Sequence, residues 1–190
     1  MNASKLQVKL FVDGDCPRAE RFIPVFHAWI KHHELPELLI DVANYAHVPK
    51  GPGVALIGND SDYFLDDTDG RPGLLYSRKR EAPAPEARLG DAFRRVLHAA
   101  LLLGQSFDGK LKFRTDELLF RINDRLAAPS GETTFAALRP ELDAFFSKLF
   151  AGAGHKLALT GGPKQLFSVK ITTEGKADLA TLLGRIGGPL

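Results

Sequence analysis

The stretch Phe22–Asp67, FIPVFHAWIKHHELPELLIDVANYAHVPKGPGVALIGNDSDYFLDD, decides how the chain is read. Phe22, Phe26, Trp29, Ile30 and His33 recur at helical spacing, with Pro24 tolerated in the first turn and Pro36 as the stop. Leu38–Val42 and Val54–Ile57 are short apolar runs bounded by breakers, and both read as strands. Asn59-Asp60-Ser61 makes a turn before a further strand, Tyr63–Leu65. The links are too short for helical crossovers, so these strands form an antiparallel meander.

Upstream, Leu6, Val8, Leu10 and Val12 alternate with Gln7, Lys9 and Phe11, a strand with one face on a core. Downstream, Gly73–Tyr76 gives the next strand, and Glu81-Ala82-Pro83-Ala84-Pro85 is a short linker. Leu89, Phe93, Val96, Leu97, Ala100 and Leu103 then mark a helix, ended by Gly104. In the second half, Leu111–Phe113 and Leu118–Ile122 read as two strands. The main helix is expected to begin at Pro140, preceded by a short turn capped at Thr133 or Thr134, and to bury Leu142, Phe145, Phe146, Leu149 and Phe150. Strands at Lys156–Leu159 and Leu166–Ile171, hinged at Gly161-Gly162-Pro163, and a helix around Leu179–Ile186 complete the order.

This is an α+β pattern: a mostly antiparallel sheet with helices on one face, in a single compact domain spanning 1–190. The two halves share an order of elements, which allows two similar lobes, 1–104 and 105–190, from an internal duplication. At a shift of about 110 residues, Val8, Leu10 and Val12 fall on Leu118, Phe120 and Ile122, and the glycine–proline turn at 51–53 falls on that at 161–163.

Composition narrows the function classes. The chain has 190 residues, enough to bury roughly 70% of its unfolded surface, and is 44% hydrophobic and 25% charged. Its formal charge is only +2, which is no nucleic-acid footprint. The basic cluster Arg78-Lys79-Arg80, continued by Arg88, Arg94 and Arg95, reads as a strand end and a solvated helix face. A single cysteine, Cys16, permits no internal disulfide and suits the cytoplasm. No apolar run has the length of a signal or a membrane span, so no membrane role is expected.

Ile40-Asp41-Val42, Asn44-Tyr45-Ala46-His47-Val48 and Gly51-Pro52-Gly53-Val54 together resemble a family of bacterial proteins of about this length. Gly73–Tyr76 and Ile122-Asn123-Asp124-Arg125-Leu126 with Pro129 extend the resemblance over most of the chain. The family carries Asp at the position of Asn44 and Asn at that of Ser130. The resemblance implies a small soluble bacterial protein, and it supplies no activity.

Candidate chemistry is sparse. Four of the six histidines lie in the opening stretch. His27 and His32, five apart, would point about 140° from each other on a helix and cannot share a metal. A site adding Asp41 and His47 to one helix histidine is sterically conceivable, but neither metal nor cofactor is expected. Cys16-Pro17 between a strand and a helix is similar to a thioredoxin-like active cysteine, although no resolving cysteine exists and Asp13 and Asp15 oppose a thiolate. No phosphate-cradling glycine loop occurs.

If residues 41–47 are extended, Asp41, Tyr45 and His47 share one face and could hold a polar ligand or act as acid and base. A groove between lobes would add Asp124 and Arg125. The leading expectation is a non-enzymatic module for a small molecule or protein partner, with a homo-oligomer left open. An enzyme using the Asp/Tyr/His group is the alternative, and a redox protein acting through its one cysteine stands third.

Overall fold

The computed structural model describes residues 1–190 apart from Lys50, Glu81 and Lys176. Glu81, the first residue of the expected linker, therefore lies outside the described residues. The elements are β1 (Leu6–Asp13), a short 3-10 turn (Ala19–Arg21), α1 (Phe22–His32), β2 (Leu39–Asn44), β3 (Val54–Gly58), β4 (Ser61–Asp66), β5 (Gly73–Arg78) and α2 (Arg88–Ser106). They continue with β6 (Lys112–Ile122), α3 (Glu132–Leu149), β7 (His155–Thr160), β8 (Phe167–Thr173) and α4 (Leu179–Arg185). The strands form one eight-stranded sheet in the order β2-β3-β4-β5-β1-β6-β8-β7, every neighbour pair antiparallel.

Register explains why the helices cover one face. A row of directly opposed residues crosses the sheet from Leu56 through Tyr63, Tyr76, Val8, Phe120 and Val169 to Leu159. These side chains belong to the same core cluster as Phe22, Phe26 and Trp29 of α1, Phe93 and Leu97 of α2, and Phe146 and Leu149 of α3. Period-two alternation puts the neighbouring row on the opposite face. It runs Ala43, Ala55, Phe64, Leu75, Lys9, Leu119, Lys170, Ala158. Of that row, Ala55, Leu75 and Leu119 are buried yet stand apart from the helical core. Among the described residues, no helix is long and apolar enough to cross a membrane.

Several expectations need correction. Lys112–Phe113 and Leu118–Ile122 belong to one strand, β6, whose register against β1 shifts between Leu10 and Val12, while Leu111 lies just before it. A bulge lets one strand carry both apolar runs. Pro140 lies inside α3, not at its start: the helix begins eight residues earlier at Glu132. Gly104 does not end α2, which continues to Ser106; the turn comes at Asp108 and Gly109, both at positive φ. His33 leaves the α1 stripe and closes that helix in the left-handed conformation, solvent exposed.

Within the basic cluster Arg80 is exposed, but Arg78 and Arg95 are held in ion pairs instead of being solvated. Arg78 and Arg95 both bond Asp91 on α2, and Arg95 Nη1 also reaches Glu37 Oε1 at 3.0 Å. Glu37 accepts from Tyr63 Oη at 2.7 Å and from Ser61, so one buried carboxylate ties the approach to β2, the strand β4 and α2. Burial first, and the Glu37 charge second, push the Tyr63 phenol far above its usual range.

The two halves do not have equal strands. The first contributes β1–β5 and the second only β6–β8, so shared element order by itself does not establish a duplication.

Candidate functional site

On the helix-free face, β1, β6 and β8 lie side by side and the β7–β8 link rises beside them. The result is a groove of about 580 Å³. Phe11 and Leu119 form an apolar floor, and Arg71, Arg121, Arg125, Lys164 and Lys170 surround it with a single carboxylate, Asp69. Thr160, Gln165 and Ser168 supply the neutral polar atoms.

The floor is built from the inside. Lys9 is fully buried, and its ammonium bonds Asp66 Oδ2 at 2.8 Å and Asp69 Oδ1 at 2.6 Å. Its stem passes over Gly73, where a Cβ would come within 2.8 Å of Lys9 Cε and 2.5 Å of the Leu10 carbonyl. Glycine at 73 is therefore what lets a lysine lie flat across the sheet. Burial works to raise the Asp69 pKa, but the Lys9 hydrogen bond and charge outweigh it and hold the carboxyl below its ordinary value.

Arg71 is locked over the floor. Its guanidinium stacks on the Phe11 ring at 3.9 Å and grips Glu117 with both Nη atoms, at 2.7 and 3.0 Å. The Arg71 hydrogen bond is the main cause of a lowered Glu117 pKa. Arg121 approaches Asp69 Oδ2 only to 3.8 Å. Among the described residues, Arg125, Lys164 and Lys170 have no carboxylate within salt-bridge distance; the ion pairs around the groove end on Lys9, Arg71, Arg114 and Arg121.

A second cavity, of about 540 Å³, holds two of the residues singled out in the sequence. Tyr45 and His47 line it with Cys16, Pro17, Val48 and Asp67. Asp41 does not join them. It is exposed on the edge strand β2 and accepts from the Val42 amide at 2.7 Å. The premise of an extended 41–47 segment fails because β2 ends at Asn44, whose side chain accepts from the Ala46 amide in a turn. The alternation that would align 41, 45 and 47 stops there. Gly53 shapes this cavity: at φ +71, a Cβ would sit 2.0 Å from the Leu65 carbonyl oxygen.

The inter-lobe grouping is likewise not formed. Asp124 caps its own turn, accepting from Leu126 and Ala127 amides at 3.1 and 3.0 Å, while Arg125 lines the open-face groove. β2 and β6 are five strand spacings apart, about 24 Å, so Tyr45 and His47 serve a different cavity from Arg125.

Cys16 lies before the 3-10 turn, not at the first turn of α1. Burial, then the Asp67 charge, raise its thiol pKa, which works against the thiolate that redox exchange requires. Among the described residues, no three His, Cys, Asp or Glu side chains are grouped to hold a metal.

Lys9, Asp69, Arg71, Arg121, Lys164 and Lys170 were not candidates in the sequence. The available signal was Phe11, an aromatic at a position of β1 where the alternation calls for a polar residue. No protein-family model matches the chain, and no curated protein matches it.

Proposed function

We propose that the protein is a non-enzymatic module that binds a small molecule in the groove on the open face of its sheet. The observation that carries this reading is the groove itself: about 580 Å³, within the usual range for small-molecule sites, with an aromatic and aliphatic floor that no helix covers. Its walls are pre-formed by the Lys9 and Arg71 ion pairs, so little ordering is needed on binding. On the stretches 40–54 and 122–129 we place the chain in the bacterial family it resembles. Its lone cysteine supports a cytoplasmic setting.

A thermal-shift screen of organic acids, phosphate esters and neutral aromatics tests the reading, run in parallel on Thr160→Trp. Thr160 lies on the edge strand β7 and lines the groove, so an indole there fills the space. Compounds that raise Tm in the wild type and not in the variant support groove binding. Equal stabilisation of both proteins, or none by any compound, contradicts it.

The alternative, acid–base catalysis, gains one observation: Tyr45 and His47 share a cavity with Asp67 and the Cys16 thiol. His47 would act as base and Tyr45 as hydrogen-bond donor. Turnover of any ester or amide substrate that is abolished in His47→Ala would favour it over the binding reading.

A further inference from the structure

The charged groups of the groove are almost all cations, and this restricts what it can hold. The Ser168 hydroxyl donates to the Leu166 carbonyl at 3.0 Å and the Thr160 hydroxyl to the Ser168 carbonyl at 3.3 Å, so both have spent their protons and meet a ligand only as neutral acceptors. The Gln165 side-chain oxygen accepts from the Gly162 amide at 2.8 Å, which turns its amide nitrogen toward other partners. Asp69, the one carboxylate of the lining, is held by Lys9 and also accepts from the Arg71 amide at 3.3 Å. The charged groups that remain are guanidinium and ammonium, which donate only. Glu117, a carboxylate that feels the Lys170 charge, is clamped by both Arg71 and Arg114.

Resting on the groove reading above, we infer that its ligand is a small soluble organic anion, an aromatic or aliphatic skeleton bearing a phosphate, sulfonate or carboxylate. The skeleton packs beside Leu119 and against the Arg71 guanidinium that stacks on Phe11. The oxyanion, an acceptor-only group, is taken by Lys164, Lys170, Arg121 and Arg125. Two features exclude a long polyanion. The basic residues converge on one bounded groove, and the chain as a whole carries only +2, without the extended basic stripe that tracks a nucleic-acid backbone. The buried Lys9 acts indirectly: sharing its charge between Asp66 and Asp69, it offsets part of the Asp69 charge and holds that carboxylate away from full pairing with Arg121.

The probe is 8-anilinonaphthalene-1-sulfonate, an aromatic sulfonate whose fluorescence reports binding, set against the neutral N-phenyl-1-naphthylamine. Both are titrated into the wild type, the double variant Lys164→Glu with Lys170→Glu, the milder Lys164→Gln with Lys170→Gln, and Thr160→Trp. Lys164 is exposed and Lys170 half-buried, and unfolding midpoints establish that each variant is folded. The sulfonate should bind the wild type with one-to-one stoichiometry. It should weaken by about tenfold or more in the charge-reversed variant, less in the Gln variant, and weaken as salt rises. The neutral analogue should bind the wild type at least about tenfold more weakly, with little change between wild type and charge variants. Equal affinity for both probes, or a sulfonate affinity indifferent to both charge variants, overturns the inference. If the two probes bind equally and Thr160→Trp blocks both, the groove reading survives and only the anionic class falls. If neither responds to Thr160→Trp, both readings fall.

Discussion

Lys9 is the residue on which the open face depends. A buried ammonium is tolerated because Asp66 and Asp69 both accept from it, and taking away one member of such a group leaves an uncompensated charge in the interior. Lys9→Met should lower stability by about 3–5 kcal/mol, read from denaturant midpoints, and Lys9→Met combined with Asp66→Asn should recover part of it. An unchanged midpoint in the single variant would show that the ion group is not held in solution. Asp69 and Glu117 have lowered folded pKa values, so the folded state binds fewer protons than the unfolded state in acid. Their contribution is full above the unfolded carboxylate pKa and is lost as pH falls through the folded values. Stability should therefore decline on acidification below about pH 4–5, and Arg71→Met should flatten that decline by removing the main partner of Glu117. Cys16 has a raised pKa, so alkylation at pH 7 should be slower than that of an unperturbed thiol, and Asp67→Asn should speed it. Labelling as fast as a catalytic thiolate would revive the redox reading.

At the scale of elements, the helices were the more legible part. The stripe Leu89, Phe93, Val96, Leu97, Ala100 and Leu103 is buried as its spacing predicts. The Phe93 ring packs tilted against Phe145 at 5.1 Å and edge-to-face against Phe146 at 5.3 Å, joining α2 to α3. Phe93→Ala should cost about 3–5 kcal/mol, the range for truncating a core aromatic, and a denaturation midpoint that barely moved would contradict the packing. Helix ends were less legible for local reasons. Pro140 looks like a first-turn residue, yet Phe135 and Leu142 hold the helix on both sides of it through tertiary burial. Gly104 sits inside α2, where a Cβ would meet the Leu111 carbonyl oxygen at an ordinary 3.4 Å, so this glycine is not a stop. The strand alternation at Leu6–Val12 identified the core face correctly, but not what the other face does. That depends on β5 and β6 lying against β1, and β8 against β6, and strand order of this kind is set by long-range pairing that no local pattern encodes. Arg71, Arg121 and Lys170 are scattered over a hundred residues and meet only through that order. The Asp41, Tyr45 and His47 group failed for the opposite reason, since a local turn at Ala46 broke an alternation assumed to continue.

At the scale of the molecule, the α+β class and the one-sided helical layer were readable because short links force antiparallel pairing. Opposed rows run unbroken from β3 to β7, so the sheet has no seam between residues 1–104 and 105–190. Trp29, the only tryptophan, reports on the first half, while far-UV circular dichroism reports on the whole. The two should unfold with coincident midpoints, whereas separate transitions would mean lobes that fold independently. The central claim, that the open face and not the Tyr45–His47 cavity receives the ligand, is tested most directly by amide chemical shifts during titration with 8-anilinonaphthalene-1-sulfonate. Perturbations should concentrate at Phe11, Leu119–Arg121, Lys164–Gln165 and Ser168–Lys170. A response centred instead on Cys16, Tyr45–Val48 and Gly53 would contradict the account.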